Sequence, residues 1–361
     1  MHIGIIGLPN SSKTTIFNAL TGGVAETASF SSGRFAVQHA FVEVPDPRLD
    51  ALVALFQPPK IARARVEYHD IAGLTRGMGE GGLSGEILGA VAQNDALLHV
   101  VRAFDDDEVP HPEIDVDPAR DVDLVDTELL LSDLAIVERR IERVRAQMKR
   151  PGAKDALAEA EVELALLQRL VAALESETPV RDLDLSSAEE KLIRGFQLLT
   201  AKPIMLLLNT GDVDVQDPTS ILTYPHRRAE LLTIRGQIEM ELAQLDAEDR
   251  AELLAEYGIR EPGLDRVIRH SYRLLGLQSF FTAGEREVHA WTIPVGATAL
   301  EAAGTIHSDL ARGFIRAEVV AWSDLVEAGS FAAARLAGKM RLEGRDYVMR
   351  DGDVIEVRFN V

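Results

Sequence analysis

Between the apolar run Ile3-Gly4-Ile5-Ile6 and the helix-like Ile16-Phe17-Asn18-Ala19-Leu20 lies Gly7-Leu8-Pro9-Asn10-Ser11-Ser12-Lys13-Thr14-Thr15. A glycine, four residues and a Ser-Lys-Thr triplet between strand and helix suit a polyphosphate. Backbone N–H groups of the loop and helix start can surround a β-phosphate. Lys13 brings positive charge to the β/γ oxygens, and the Thr14 hydroxyl can ligate Mg²⁺. Pro9, Asn10, Ser11, Ser12, Lys13, Thr14 and Thr15 are therefore the expected nucleotide contacts. The usual pattern has glycine where this chain has Ser12. A side chain there crowds the loop or demands a less favourable backbone angle, so weakened rather than abolished binding is expected.

Two further clusters suit the same ligand. Asp70-Ile71-Ala72-Gly73 closes a strand-like run; the aspartate fits a water-mediated Mg²⁺ contact, and Gly73 can bring its N–H close to a γ-phosphate. The glycine-rich Gly77-Met78-Gly79-Glu80-Gly81-Gly82 just beyond is expected to order around triphosphate and relax on hydrolysis. Asn209-Thr210-Gly211-Asp212 comes after the apolar Ile204–Leu208. In GTPases an Asn-Lys-x-Asp sequence at such a place reads guanine, the last carboxylate accepting from the base. Here Asn209 and Asp212 are present, but Thr210 replaces the lysine. A solvated turn would have the same composition, and the position after a buried strand is what favours base reading.

The elements that must position these groups alternate. Strands are expected at Ile3–Ile6, Val37–Val44, Arg65–Asp70, Leu97–Val101, Ile204–Leu208 and Leu231–Ile234, with helical segments between them, as in a parallel sheet covered by helices. From about Thr127 to Thr200 the pattern changes. Leu134, Val137, Ile141, Val144 and Met148 step by three and four, as do Leu157, Ala160, Leu164, Leu167, Val171 and Leu174. Arg150-Pro151-Gly152 breaks the run. Two antiparallel helices packed on their apolar seams are the economical reading, with an ordinary pair of surface helices as the alternative. From Glu287 onward, short strands and glycine-containing turns indicate a small α+β domain.

Composition sets the outer bounds. The chain has 361 residues, a formal charge of −20 and no cysteine. The acidic total argues against a generally basic nucleic-acid binder but leaves room for a local basic patch. Disulfides and thiolate zinc sites are excluded, which fits a reducing compartment. The strand-like start without a charged lead predicts no signal peptide, and no run approaches the roughly 20 apolar residues that span a bilayer. A soluble cytoplasmic protein with no membrane contact is expected.

With these elements in order, the chain resembles the Obg-like ATPases, the YchF branch of the translation-factor-related P-loop proteins. The likeness runs over the whole length. It includes Val44-Pro45-Asp46-Pro47-Arg48-Leu49-Asp50, Val116-Asp117-Pro118-Ala119-Arg120-Asp121, Phe280-Phe281-Thr282-Ala283-Gly284, Gly313-Phe314-Ile315-Arg316-Ala317-Glu318 and Asp351-Gly352-Asp353-Val354-Ile355. The resemblance implies an α/β P-loop NTPase, or G domain, over 1–126 and 201–279. An inserted antiparallel helical hairpin would occupy 127–200, and a C-terminal β-grasp TGS domain 280–361. It also implies nucleotide-dependent association with ribosomes.

In place of the water-positioning glutamine of related GTPases stands Leu74, matching the family's hydrophobic substitution. The family instead uses a histidine in a flexible loop after the fourth strand. His111, between Pro110 and Pro112, occupies that place as the expected catalytic residue. Family precedent favours ATP with Asn-x-x-Glu at the base-reading turn, whereas the shorter Asp212 permits GTP; the balance leans slightly to ATP. The later base-contacting Ser-Ala aligns with Arg235-Gly236, and Arg34 stands near the usual switch threonine, with Ser31 and Ser32 upstream. With Ser12, these departures predict slow turnover. Arg139, Arg140, Arg143, Arg145, Lys149 and Arg150 on the hairpin offer a route to RNA, or else form a solvated face. The leading expectation is a slow Mg²⁺-dependent ATPase or GTPase acting as a ribosome-associated switch. Its rival is a nucleotide-binding module with little or no hydrolysis.

Overall fold

The computed structural model describes residues 1–22, 28–31, 36–71, 85–149, 154–259 and 261–360. The strands are β1 (His2–Ile6), β2 (Ala28–Ser31), β3 (Ala36–Glu43), β4 (Lys60–Ala62), β5 (Arg65–Ile71), β6 (Ala96–Arg102), β7 (Ile204–Asn209) and β8 (Ala229–Ile234), then β9 (Leu277–Ala283), β10 (Glu287–Pro294), β11 (Phe314–Ala321), β12 (Arg341–Glu343) and β13 (Asp353–Phe359). Two compact units form, one from Met1–Phe41 and Glu67–Val267, the other from Val42–Val66 and Ile268–Val361.

The first unit holds a sheet in the order β2-β3-β5-β1-β6-β7-β8. β5, β1, β6, β7 and β8 pair in parallel, and β2 runs antiparallel to β3 at the edge. β6 and β7 are buried along their whole length, which is why both read as continuous apolar runs: helices cover both faces of a parallel sheet. One core cluster gathers Ile6, Ile71, Val91, Leu97, Val101, Leu129, Leu206 and Leu208. Each strand expected from the sequence is present, with ends displaced by a residue or two.

The inserted hairpin belongs to this unit. Its first helix spans Pro118–Met148 and its second Lys154–Glu175. The first starts well before Thr127 because Asp117 caps it, accepting from the Arg120 N–H at 3.1 Å, with Pro118 at the first helical position. Val137, Ile141 and Val144 meet Leu166, Leu167, Leu170 and Leu174 along the seam. The root is fixed by one carboxylate. Asp133, fully buried, accepts from the N–H groups of Leu199 and Thr200, both at 2.8 Å, and from the Thr200 hydroxyl at 2.6 Å. Burial pushes its pKa up to about 6 against the pull of these donors.

The second unit is a mixed sheet in the order β12-β11-β13-β9-β10-β4. β9 and β10 form an antiparallel hairpin, the helix Ala299–Ile306 comes next, and the last strand, β13, inserts between β9 and β11. That is β-grasp topology, extended by β4 running parallel to β10. The segment 42–66, which the sequence reading places with the nucleotide-binding domain, thus completes the C-terminal sheet. Its helix Pro47–Phe56 is capped by Asp46, and Arg48 bridges Asp46 at 2.9 Å and Asp351 at 2.8 Å while lying over the Phe281 ring. Phe56 packs on Phe331. Among the described residues no helix is long and apolar enough to cross a membrane.

Removing the Asp133 carboxylate leaves buried N–H groups without an acceptor, each costing about 1–3 kcal/mol. Asp133→Ala is expected to lower unfolding free energy by about 3 kcal/mol or more, measured by urea denaturation followed by circular dichroism. A midpoint equal to wild type would contradict the role given to this carboxylate.

Candidate nucleotide site

Parallel strands end on the same edge, and ligands of open α/β sheets bind at the carboxyl ends. Here that edge gathers the segments leaving β1, β5, β6, β7 and β8. These are the loop 7–12, Asp70, the loop carrying His111, Asn209–Asp212 and Arg235-Gly236. Every sequence-expected site residue among the described ones therefore lies on this single rim.

The loop after β1 is already shaped as an anion cradle. Gly7 has φ 145°, and a Cβ there would stand 2.3 Å from the Val100 carbonyl oxygen, so only glycine lets the loop leave the sheet this close to β6. Asn10 and Ser12 both adopt left-handed angles, φ 58° and 71°. Asparagine tolerates that region; serine is strained there by roughly 1 kcal/mol. The helix Lys13–Leu20 starts directly after Ser12, whose side chain makes no capping bond.

Lys13 is buried and donates to the Leu8 carbonyl at 2.6 Å. Burial pulls its pKa down to about 8, opposed by the nearby Asp70 charge. The Thr14 hydroxyl donates to Asp70 Oδ2 at 2.9 Å. Asp70 is raised by burial, which Thr14 and Lys13 counteract, and its Oδ1, like the Ser11 hydroxyl, is buried without a hydrogen-bond partner. A carboxylate oxygen left orphaned beside a threonine hydroxyl is a hard-oxygen donor set of the kind that Mg²⁺ takes. Beneath them His99, fully buried on β6, has neither ring nitrogen hydrogen-bonded. Burial, helped by the Lys13 charge, pulls its pKa down to about 3.

The turn after β7 is held by the side chain of Asn209. Its Oδ1 accepts from the Gly211 N–H at 3.2 Å and the Gly236 N–H at 3.1 Å, joining this turn to the start of the helix Gly236–Gln244. Thr210 is buried and turns its hydroxyl to the Val213 carbonyl at 2.6 Å, so it serves the turn. Asp212 is exposed and Arg235 half-buried on the same rim.

His111 is packed inward. Its side chain is 3% exposed, with Nε2 2.9 Å from Asp121 Oδ2 and Nδ1 accepting from the Glu113 N–H at 3.2 Å. Both nitrogens are engaged, and the hydrogen bonds assign the proton to Nε2. Arg120 steadies Asp121 from the other side at 2.9 Å. The loop itself is strung from buried Arg102, which donates to the carbonyls of Phe104, Asp106 and Val109, while the Asn10 side chain donates to Pro110 at 3.0 Å. Nothing in the sequence alone gives Arg102 or Asp121 a role. The Val116–Asp121 block carried the signal for Asp121, but not the identity of its partner. Gly73, Leu74, Ser32 and Arg34 lie outside the described residues, as do the glycines at 77–82.

A family of 50S ribosome-binding GTPases matches residues 2–210, and YchF-GTPase_C, described as a protein of unknown function (DUF933), matches residues 277–360. The chain is 45% identical to the Ribosome-binding ATPase YchF of Bacillus subtilis (strain 168), with 99% of each chain covered. It is 37% identical to Obg-like ATPase 1 of Caenorhabditis elegans, over 100% of this chain and 92% of that one. The solved structure of the Schizosaccharomyces pombe YchF GTPase superposes with a TM-score of 0.87 at 33% identity, covering 99% of this chain and 97% of that one.

Relief of the left-handed angle at position 12 is expected to make Ser12→Gly more stable by up to about 1 kcal/mol. Urea denaturation of the nucleotide-free protein checks this, and a midpoint lowered by the full roughly 0.5–1 kcal/mol that glycine's extra unfolded-state freedom costs argues against strain. His99 gives a pH signature. Its folded-state pKa is depressed, so its contribution to stability is complete above about 6.5 and is lost as pH falls toward 3, at roughly 1.4 kcal/mol per unit. Between pH 7 and 5 the wild type should lose about 2 kcal/mol more than His99→Leu; parallel losses would mean that His99 titrates normally.

Proposed function

We propose that this chain, which belongs to the YchF family of Obg-like P-loop ATPases, hydrolyses a nucleoside triphosphate slowly and signals its bound state to the ribosome. It is a nucleotide-binding, ribosome-associated P-loop ATPase or GTPase; the rate, the ion, the base and the residue roles are the proposal. The observation that carries it is the Lys13–Thr14–Asp70 cluster on the strand-end rim, with a buried carboxylate oxygen awaiting a partner.

In this reading, the N–H groups of residues 10–15 and Lys13 bind the β- and γ-phosphates. Lys13 exchanges the Leu8 carbonyl for phosphate oxygens. Thr14 and Asp70 would hold Mg²⁺, which when bound would neutralise charge on the phosphates. Gly73 adds its N–H to the γ-phosphate. Asn209 keeps the base-reading turn against Arg235-Gly236, and Asp212 reaches the base edge. ATP is favoured, since the Bacillus subtilis and Caenorhabditis elegans relatives are named ATPases; the Asp212 carboxylate and the GTPase name of the Schizosaccharomyces pombe structure leave GTP as the second substrate.

His111 is the proposed group that positions or activates water. To act, its ring must leave Asp121 and the Glu113 N–H, two bonds whose loss slows each turnover. Strain at Ser12 acts in the same direction. The same packing of His111 favours the rival reading, a module that binds nucleotide without hydrolysing it. Ribosome contact is proposed to include RNA along the hairpin, where Arg139, Arg143, Arg145 and Lys149 are exposed, whereas Arg140 is held by Glu163 at 2.6 Å.

Steady-state phosphate release with ATP and with GTP, in Mg²⁺ and in excess chelator, tests this. Slow release is expected for wild type, lost in chelator and in Lys13→Ala, and reduced about 100-fold or more in His111→Ala. No release above the Lys13→Ala background would leave only the binding module. Equal rates for wild type and His111→Ala would remove that residue from the mechanism.

A further inference from the structure

Three adjacent strands of the first sheet, β3, β5 and β1, bring His39, Glu67, His69 and His2 together. The parallel register sets His2 beside Glu67 and Gly4 beside His69. Side chains two apart on a strand share a face, so Glu67 and His69 project together, and the neighbouring strands add a histidine from each side. Glu67 is the centre. Its Oε2 lies 3.0 Å from His2 Nε2, and its Oε1 lies 3.0 Å from His39 Nδ1 and 3.3 Å from His69 Nε2. The rings of His2 and His69 stack at 5.0 Å. One ligand atom each from His2, Glu67 and His69 fall within 4.8 Å of one another.

Imidazole and carboxylate donors in this number select among cations. Mg²⁺ and Ca²⁺ prefer all-oxygen shells, whereas imidazole nitrogen suits Zn²⁺, Co²⁺ and Ni²⁺. Tetrahedral bonds of about 2.0–2.1 Å place donor atoms about 3.3 Å apart. Glu67 Oε2 to His2 Nε2 at 3.0 Å and Glu67 Oε1 to His69 Nε2 at 3.3 Å are already near that spacing, through the two oxygens of one carboxylate. Glu67 and His69 are 13% and 17% exposed in their side chains, and His2 is 43% exposed, so an ion reaches the group from water while the strands hold it. Strand alternation turns the Asp70 side chain to the opposite face of β5, so this group is separate from the phosphate-side carboxylate.

We propose that His2, Glu67 and His69, with His39 beside them, form a binding site for a borderline divalent transition-metal ion such as Zn²⁺, distinct from the nucleotide site. In the metal-free protein, hydrogen bonds between the imidazoles and the Glu67 carboxylate hold the same groups together; on metal entry each ligating nitrogen offers its lone pair, and the proton it carried moves to the ring's other nitrogen or, from an imidazolium, to water.

The test is calorimetric titration of chelator-stripped full-length protein with Zn²⁺, in the presence of excess Mg²⁺ and without nucleotide. One Zn²⁺ per chain is expected, undisturbed by Mg²⁺. Glu67→Gln, His69→Gln and His2→Gln should each weaken binding about tenfold or more, while His307→Gln leaves it unchanged. His2 sits at the exposed start of its strand, so its variant keeps the readout available if a change on β5 disturbs folding, which circular dichroism reports. Absence of a one-to-one site in wild type, or unchanged affinity in folded His2→Gln and His69→Gln, would overturn the proposal.

Discussion

The parallel direction of β5, β1, β6, β7 and β8 is the constraint on which the site depends. Strands aligned this way must deliver their loops to one edge, and each loop then begins where a buried strand stops. Closeness at that edge is bought with backbone geometry: Gly7 leaves β1 where no Cβ fits against Val100. The Asn209 carboxamide does by hydrogen bonding what Gly7 does by size, tying two successive loops to one another. Ser12 is where this logic is broken, since a side chain occupies a left-handed angle that the loop cannot give up without losing its curvature.

Buried polar groups divide by whether the fold satisfies them. Asp133 and Glu239 are buried carboxylates with backbone donors supplied, the latter by Gly263 and Leu264, and each pins a helix to its surroundings. Asp70 Oδ1, the Ser11 hydroxyl and both nitrogens of His99 are buried without such partners, and all lie at or beneath the phosphate loop. Folding alone gains nothing from leaving polar atoms dry. At the phosphate loop this leaves Asp70 and Ser11 with capacity that a ligand rather than the fold would use.

Much of this was legible in the sequence because it was local. The strands of the first sheet, the phosphate loop and the two helical seams are patterns of a few residues repeated. What escaped was long-range. Val44–Asp50 is a conspicuous block, yet nothing in it says that Arg48 pairs with Asp351 and that β4 extends a sheet built from the far end of the chain. The early start of the hairpin was hidden because Asp117-Pro118 reads equally as a turn and as a helix cap. Thr210 occupies the place of a base-reading lysine, but only the fold shows its hydroxyl serving Val213. The histidines at 2, 39 and 69 carry no spacing signal, since strand pairing alone assembles them.

The inward packing of His111 bears on how such a protein would hold a state. A water-positioning histidine left loose in a loop would sample the γ-phosphate at every encounter. Here the ring is anchored to Asp121, which Arg120 steadies, and the loop that carries it hangs from Arg102 and touches Asn10 of the phosphate loop. Two hydrogen bonds, one to a carboxylate, are together worth a few kcal/mol, enough to keep the released conformer a small minority until another interaction stabilises it. The Asn10 side chain joins the phosphate loop to this segment through its bond to Pro110, and in the proposed mechanism this gives nucleotide binding a physical route to the histidine. In the proposed mechanism, hydrolysis therefore waits on a conformational equilibrium that a partner can bias, and the lifetime of the triphosphate state is set by that equilibrium as well as by the chemistry.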